Sequence, residues 1–138
     1  VMIFKFPYLP AAVLVLLSAV NPLHAQHMNA TDAPCKVAGT GVDQANCLNR
    51  AAKKADADLN DAYRRIIEIL ASGDRQKLRS AERIWLTYRD QTCAAERDLY
   101  EGGTGGLAAY PACVEALTRH RIRDLKTTYW WKVEKFGA

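Results

Sequence analysis

The sequence has little from which a catalytic or metal site is normally built. Of its three histidines, His24 belongs to the N-terminal segment read below as a signal, His27 lies near the expected mature N-terminus and His120 stands alone, and its four cysteines include no C-x2-C pair. Zinc sites gather such ligands at short spacing, so no metal centre and no cofactor are expected. Five prolines and eight glycines in 138 residues are too few for a collagen-like or low-complexity chain. There is no repeat period and no strand-like alternation of apolar and polar residues. A large charge excess is also missing. Nineteen Lys and Arg against fifteen Asp and Glu leave +4, short of what a dedicated nucleic-acid binder carries. The length supports one core and no second domain.

What is present starts with an apolar run, Ala11 to Val20, preceded by a single charge, Lys5. The run is half of the roughly 20 residues a membrane span needs, and Asn21-Pro22 stops it. No transmembrane anchor is therefore expected. A charge, a short apolar core and a small residue at Ala25 make 1–25 a secretory signal peptide. The expected mature chain, from Gln26, has 113 residues and a net charge of +3. Export places all four cysteines in an oxidising compartment, periplasmic or extracellular, where an even count suggests two disulfides.

Residues 26–39 read as an irregular arm and 40–138 as a helical domain. Thr40 with Asp43 three residues on forms a helix-start signature. Leu48, Ala52, Ala55, Leu59, Ala62, Ile66 and Leu70 then recur in steps of three and four, which is a helical stripe. Ser72-Gly73-Asp74 ends that helix and is suited to cap the next. Leu78, Ala81, Trp85, Tyr88, Thr92, Ala95 and Leu99 give a second stripe, broken by the glycines between Glu101 and Gly106. A third helix is expected to start near Pro111, since Pro suits a first helical turn. Its stripe is Val114, Leu117, Arg121 or Ile122, Leu125 and Thr128. The fold class is all-α: three long helices in antiparallel hairpins, disulfide-stapled.

Hairpin geometry constrains the cysteines. An antiparallel turn at Gly73 places Cys47 about 9 Å along the axis from the level of Cys93, too far for a bridge. The next turn sets Cys93 opposite Cys113. This favours Cys93–Cys113 with Cys35–Cys47, although Cys35–Cys93 with Cys47–Cys113 also keeps all four at one end. The same registers gather Asp56, Asn60, Arg89, Asp90, Thr118 and Arg121 beside the apolar stripes, with Arg89 near Asp56 and Asn60, and Asp90 near Thr118 and Arg121. A buried charge needs such partners, so the set reads as structural pairs rather than an active site. No nucleophile stands at a useful spacing from His120, and a three-helix domain offers no sugar-sized cleft flanked by two acids. An enzyme is not expected.

Three surface features remain. The glycine-rich loop from Glu101, with Thr104, Leu107 and Tyr110, is suited to entering a concave partner. In Tyr129-Trp130-Trp131 not all three rings can face the core, which leaves Trp131 for a sugar or a partner. The basic run Arg119-His120-Arg121-Arg123-Lys126 reads as a solvated face or one suited to an anionic envelope surface.

The stretches Asp56-Ala57-Asp58-Leu59-Asn60-Asp61-Ala62-Tyr63 and Ala81-Glu82-Arg83-Ile84-Trp85-Leu86-Thr87-Tyr88-Arg89-Asp90-Gln91-Thr92-Cys93 resemble the LprI-like lysozyme-inhibitor family of bacterial envelopes. So do Gly102-Gly103 and Cys113 followed by Thr118, Arg121 and Leu125. The resemblance runs from about Cys35 to Leu125, and its most specific part is W-L-x-Y-R-D-x-x-C. It implies a small disulfide-bonded secreted helical domain that binds a lysozyme-type protein by occlusion. The alternative is an envelope module that binds peptidoglycan or a periplasmic protein. A net charge of +3 slows encounter with a basic lysozyme, so inhibition requires a local acidic patch or another target.

Overall fold

In a computed structural model that describes residues 26–137, the chain forms three helices: α1 (Gly41–Ile69), α2 (Ser72–Asp98) and α3 (Gly105–Phe136). No strand occurs among the described residues. The signal-peptide reading falls on residues 1–25, outside them. The start of α1 is the expected capping box: the Asp43 N–H donates to the Thr40 hydroxyl at 3.2 Å, and the Thr40 N–H donates to the Asp43 carboxylate at 2.9 Å. All seven residues of the first stripe are buried.

The most extensive packing joins α1 to α3, and α2 is attached mainly to α3. Leu70-Ala71 turns the chain between α1 and α2, yet beyond the turn these two backbones stay apart. The turn itself differs from expectation. Gly73 lies inside the first turn of α2, and the N-cap is Ala71, with no side-chain cap. Arg75 donates from Nε to the Leu70 carbonyl at 2.6 Å, which satisfies the C-terminal end of α1 rather than the N–H groups at the start of α2.

The second stripe is rotated from the one read in the sequence. Ala81, Tyr88, Ala95 and Leu99 face solvent, while Leu78, Glu82, Arg89 and Cys93 are buried. Polar pairs set this rotation. Glu82 meets Arg121, Arg89 meets Asp56, and Cys93 is bonded to Cys113. Apolar periodicity alone does not see partners of that kind.

Helix α3 starts at Gly105, six residues before the expected Pro111. Only Glu101, at φ 49°, and Gly102, at φ 81°, adopt the left-handed backbone that makes the turn. Gly105 serves close approach instead, because a Cβ there would lie 2.3 Å from the Tyr100 ring. The first half of α3 is buried nearly all round, through Ala108, Ala109, Ala112, Cys113, Val114 and Ala116, so no single stripe marks it. Further on Leu125 and Val133 are buried, whereas Thr128 is exposed.

The bridges are Cys35–Cys47 and Cys93–Cys113, which excludes the alternative connectivity. The arm is a fastened strap. It opens with a 3-10 turn, His27–Asn29, and Met28 packs against Ala45, Leu48, Ala108 and Ala112. Cys35–Cys47 is the tie to α1 that hairpin geometry favours, whereas the anchors on α2 and α3 lie far away in sequence, where local patterning gives no sign of them.

Candidate functional site

Two regions carry the residues singled out from the sequence. The first is the waist of the bundle. Arg89, on the inner face of α2, donates from Nη1 to Asp56 at 2.6 Å and to the Thr118 hydroxyl at 3.1 Å, and from Nε to Asp90 at 3.0 Å. Burial alone would lower the Arg89 pKa. The hydrogen bonds and charges of Asp90 and Asp56 outweigh it and hold the guanidinium above its ordinary value. Trp85 lies under this group, with the Arg89 and Arg121 guanidinium carbons 5.4 and 5.7 Å from the ring centroid.

The expected pairing of Asp90 with Arg121 does not occur. Arg121 instead donates two bonds to one oxygen of buried Glu82, at 2.8 and 3.0 Å. Asn60 is exposed and lines a groove between α1 and α2, and is not among the hydrogen-bond partners of Arg89. Sequence patterning does not single out Glu82 as a site residue, although its position lies near Arg121 in the hairpin register that pairs Cys93 with Cys113. An acid in place of an apolar stripe residue was the available signal.

The second region is the tip formed by the α2–α3 turn. Residues 99–104 make the turn itself, so Leu107 and Tyr110 belong to α3 and not to a loop. Glu101, Thr104 and Leu107 are exposed together at this tip. Tyr110 is half-buried beside Cys93 and Cys113, with the Arg97 guanidinium carbon 5.7 Å from its ring. Leu99, assigned from the sequence to the core, is 72% exposed here, and Leu107 is 57% exposed. Trp131 is also exposed but sits 27 residues beyond Thr104, about 40 Å along the helix. The structure therefore separates Trp131 from the other partner-binding candidates.

The tip is well fastened. The Gly103 N–H donates to the Tyr100 carbonyl at 2.7 Å, and the Tyr100 ring packs against Gly105. Burial, then the nearby charge of Glu96, pushes the Tyr100 hydroxyl pKa up. Glu96 also receives the arm, accepting from the His27 backbone N–H at 2.9 Å and pairing with its ring. His27, Glu96 and Cys113 place possible ligand atoms within 4.8 Å of one another, but the Cys113 sulfur is committed to its disulfide. Two donors remain, too few for a structural metal site. Farther along, Asp32 accepts from Arg119, whose hydrogen bond and charge hold the Asp32 carboxyl below its ordinary range.

Charge is distributed unevenly about the waist. On the tip side, residues 26–55 and 90–120 carry six Lys and Arg against seven Asp and Glu. On the other side, residues 56–89 and 121–137 carry twelve against eight. The net positive charge thus belongs to the half remote from the tip.

Three comparisons bear on this arrangement. The family model described as "Lysozyme inhibitor LprI" matches residues 33–125, from the arm to the middle of α3. A protein of Rhizobium meliloti (strain 1021), described as uncharacterized, is 27% identical over an alignment 128 residues long, gaps included, that covers 83% of this chain and 90% of the relative. No solved structure gives a match.

Proposed function

The chain belongs to the LprI lysozyme-inhibitor family, and from that premise we propose that it is exported and blocks the sugar-binding cleft of a lysozyme with the α2–α3 tip. The observation that carries this reading is the fastened tip itself. Cys93–Cys113 ties its two helices, Tyr100 packs the turn, and Leu99, Glu101, Thr104 and Leu107 are left facing outward. A prearranged protrusion loses little conformational entropy on binding, which favours affinity from a small contact. The charge distribution removes the objection raised by the net charge, because the tip half is close to neutral and Glu101 and Asp98 stand at its end. Two disulfides and family membership also favour a periplasmic or secreted location.

The test is hydrolysis of a soluble chitooligosaccharide by lysozymes of several classes in the presence of the protein. Leu99→Asp combined with Leu107→Asp should raise the half-inhibitory concentration by at least about tenfold while leaving the melting temperature unchanged. Ile84→Asp, on the outer face of α2, should inhibit like the wild type. A tip variant of undiminished potency would reject occlusion by the tip. Absence of inhibition against every class would reject the function.

A further inference from the structure

On the opposite side of the waist, the gap between α1 and α2 leaves a groove of about 260 Å³ that the fold does not fill. Leu59, Tyr63 and Leu86 supply apolar wall, and Asn60 adds an amide. Arg79 and Arg83 stand at the edge and are shared with an adjoining depression of about 470 Å³ lined also by Ser72, Arg75 and Gln76. Glu82 forms part of the lining. Its Oε2 takes both bonds from Arg121, while its buried Oε1 has no partner, so one acceptor is unused beside the groove.

The arginines are not explained by folding. Arg75, Arg79 and Arg83 follow one another at i, i+4 and i+8 on one face of α2, a spacing at which like charges destabilise a helix. Arg75 is used by the Leu70 carbonyl, but Arg79 and Arg83 have no ion-pair partner among the described residues. The one acid within reach along that helix, Glu82, is turned inward to Arg121. Two exposed guanidinium forks beside a half-apolar groove are suited to a planar acid attached to a ring.

We propose that this groove binds an acidic sugar of a glycan strand. Arg79 and Arg83 hold its carboxylate, the ring lies against Tyr63 and Leu86, and Asn60 meets a hydroxyl or acetamide group. The cavity has about the bulk of one substituted hexose, so the ligand is a single residue of a chain that continues into the adjoining depression. A phosphate surface would use the arginines alone and would have no use for the apolar wall or the amide. Because the groove lies across the waist from the tip, binding here and inhibition there are separable.

The experiment is calorimetric titration of the purified protein with the disaccharide of N-acetylglucosamine and N-acetylmuramic acid, with neutral di-N-acetylchitobiose, and with inorganic phosphate. The acidic disaccharide should bind at least about tenfold more tightly than either of the others. Arg79→Ala with Arg83→Ala should lose about tenfold of that affinity, with no fall in melting temperature and with lysozyme inhibition on a soluble substrate retained. Asn60→Ala should weaken the acidic disaccharide and leave phosphate unaffected. Equal affinity for phosphate and the acidic disaccharide would overturn the proposal, as would unchanged binding by the double variant.

Discussion

At the tip end, the core is built from Ala45, Leu48, Ala52, Ala108, Ala112 and Val114 around a disulfide, with the arm laid over it. At the other end it is built from Leu59, Ile66, Leu70, Leu78, Leu125 and Val133, with Trp85 and Trp130 packed against them and no covalent link. Small residues bring helices close but bury little area apiece, whereas large aliphatic residues bury much. The tip end therefore depends on bonds and hydrogen-bonded anchors where the other depends on packing. Shape is held covalently where the proposed contact with a lysozyme lies, and the aliphatic end supplies the larger share of hydrophobic stabilisation.

The strongest challenge to this contrast is Ile66→Ala, which empties a fully buried site at the aliphatic end. It should cost about 4 kcal/mol in denaturant unfolding. A loss below 1 kcal/mol on the order of a surface mutation would show that this end does not carry the packing assigned to it. Next is Cys93→Ala with Cys113→Ala, which opens a 20-residue link and should cost about 3 kcal/mol. Amide exchange should then quicken first around residues 93–113 and leave the amides near Ile66 protected. Uniform quickening would mean that the two ends unfold as one.

Arg89→Met tests the seam between them. Removing the charge leaves Asp56 and Asp90 unpaired, but both are half-exposed and regain water, so the expected loss is about 2 kcal/mol rather than the larger cost of a fully buried pair. The smallest effect belongs to Thr40→Ala at the start of α1, a fall of about 3 °C in melting temperature. Asp43 gives it a pH signature. The hydrogen bonds from the Thr40 N–H and hydroxyl hold its carboxyl below the ordinary 3.8, so their contribution is present above that value and fades as pH falls through the lowered one. The difference between variant and wild type should narrow in acid.

How much of this was readable beforehand depended on the kind of interaction. α1 is plain, because aliphatic residues alone (Ala, Leu and Ile66) define its buried face. Hairpin register favours the observed disulfides through the tight distance limit on bridging, but leaves Cys35–Cys93 with Cys47–Cys113 open until the structure is seen. α2 was misread because its inner face holds Glu82, Arg89 and Cys93, and the more apolar-looking stripe one position away faces water. The beginning of α3 was hidden by glycines that break helices in isolation but here admit the Tyr100 ring. In the candidate site, Arg89 with Asp56 was legible as a matched charge pair. Leu99 was not, because an exposed leucine at the end of an apolar stripe looks like a core residue until the turn beyond it is known.

The pairing of α1 with α3 across an intervening helix bears on how the chain reaches its fold. Neighbouring helices normally dock first because closing a short loop costs little entropy, yet here the most extensive seam joins the two long helices farthest apart in sequence. Its formation must wait until Gly105–Phe136 is available, and until then the aliphatic stripe of α1 has little to cover it. Contacts of such long range slow folding relative to bundles that assemble from adjacent pairs. Cys93–Cys113, spanning only the local hairpin, can form earlier and deliver α3 already aligned on α2, leaving α1 to close against a prepared surface.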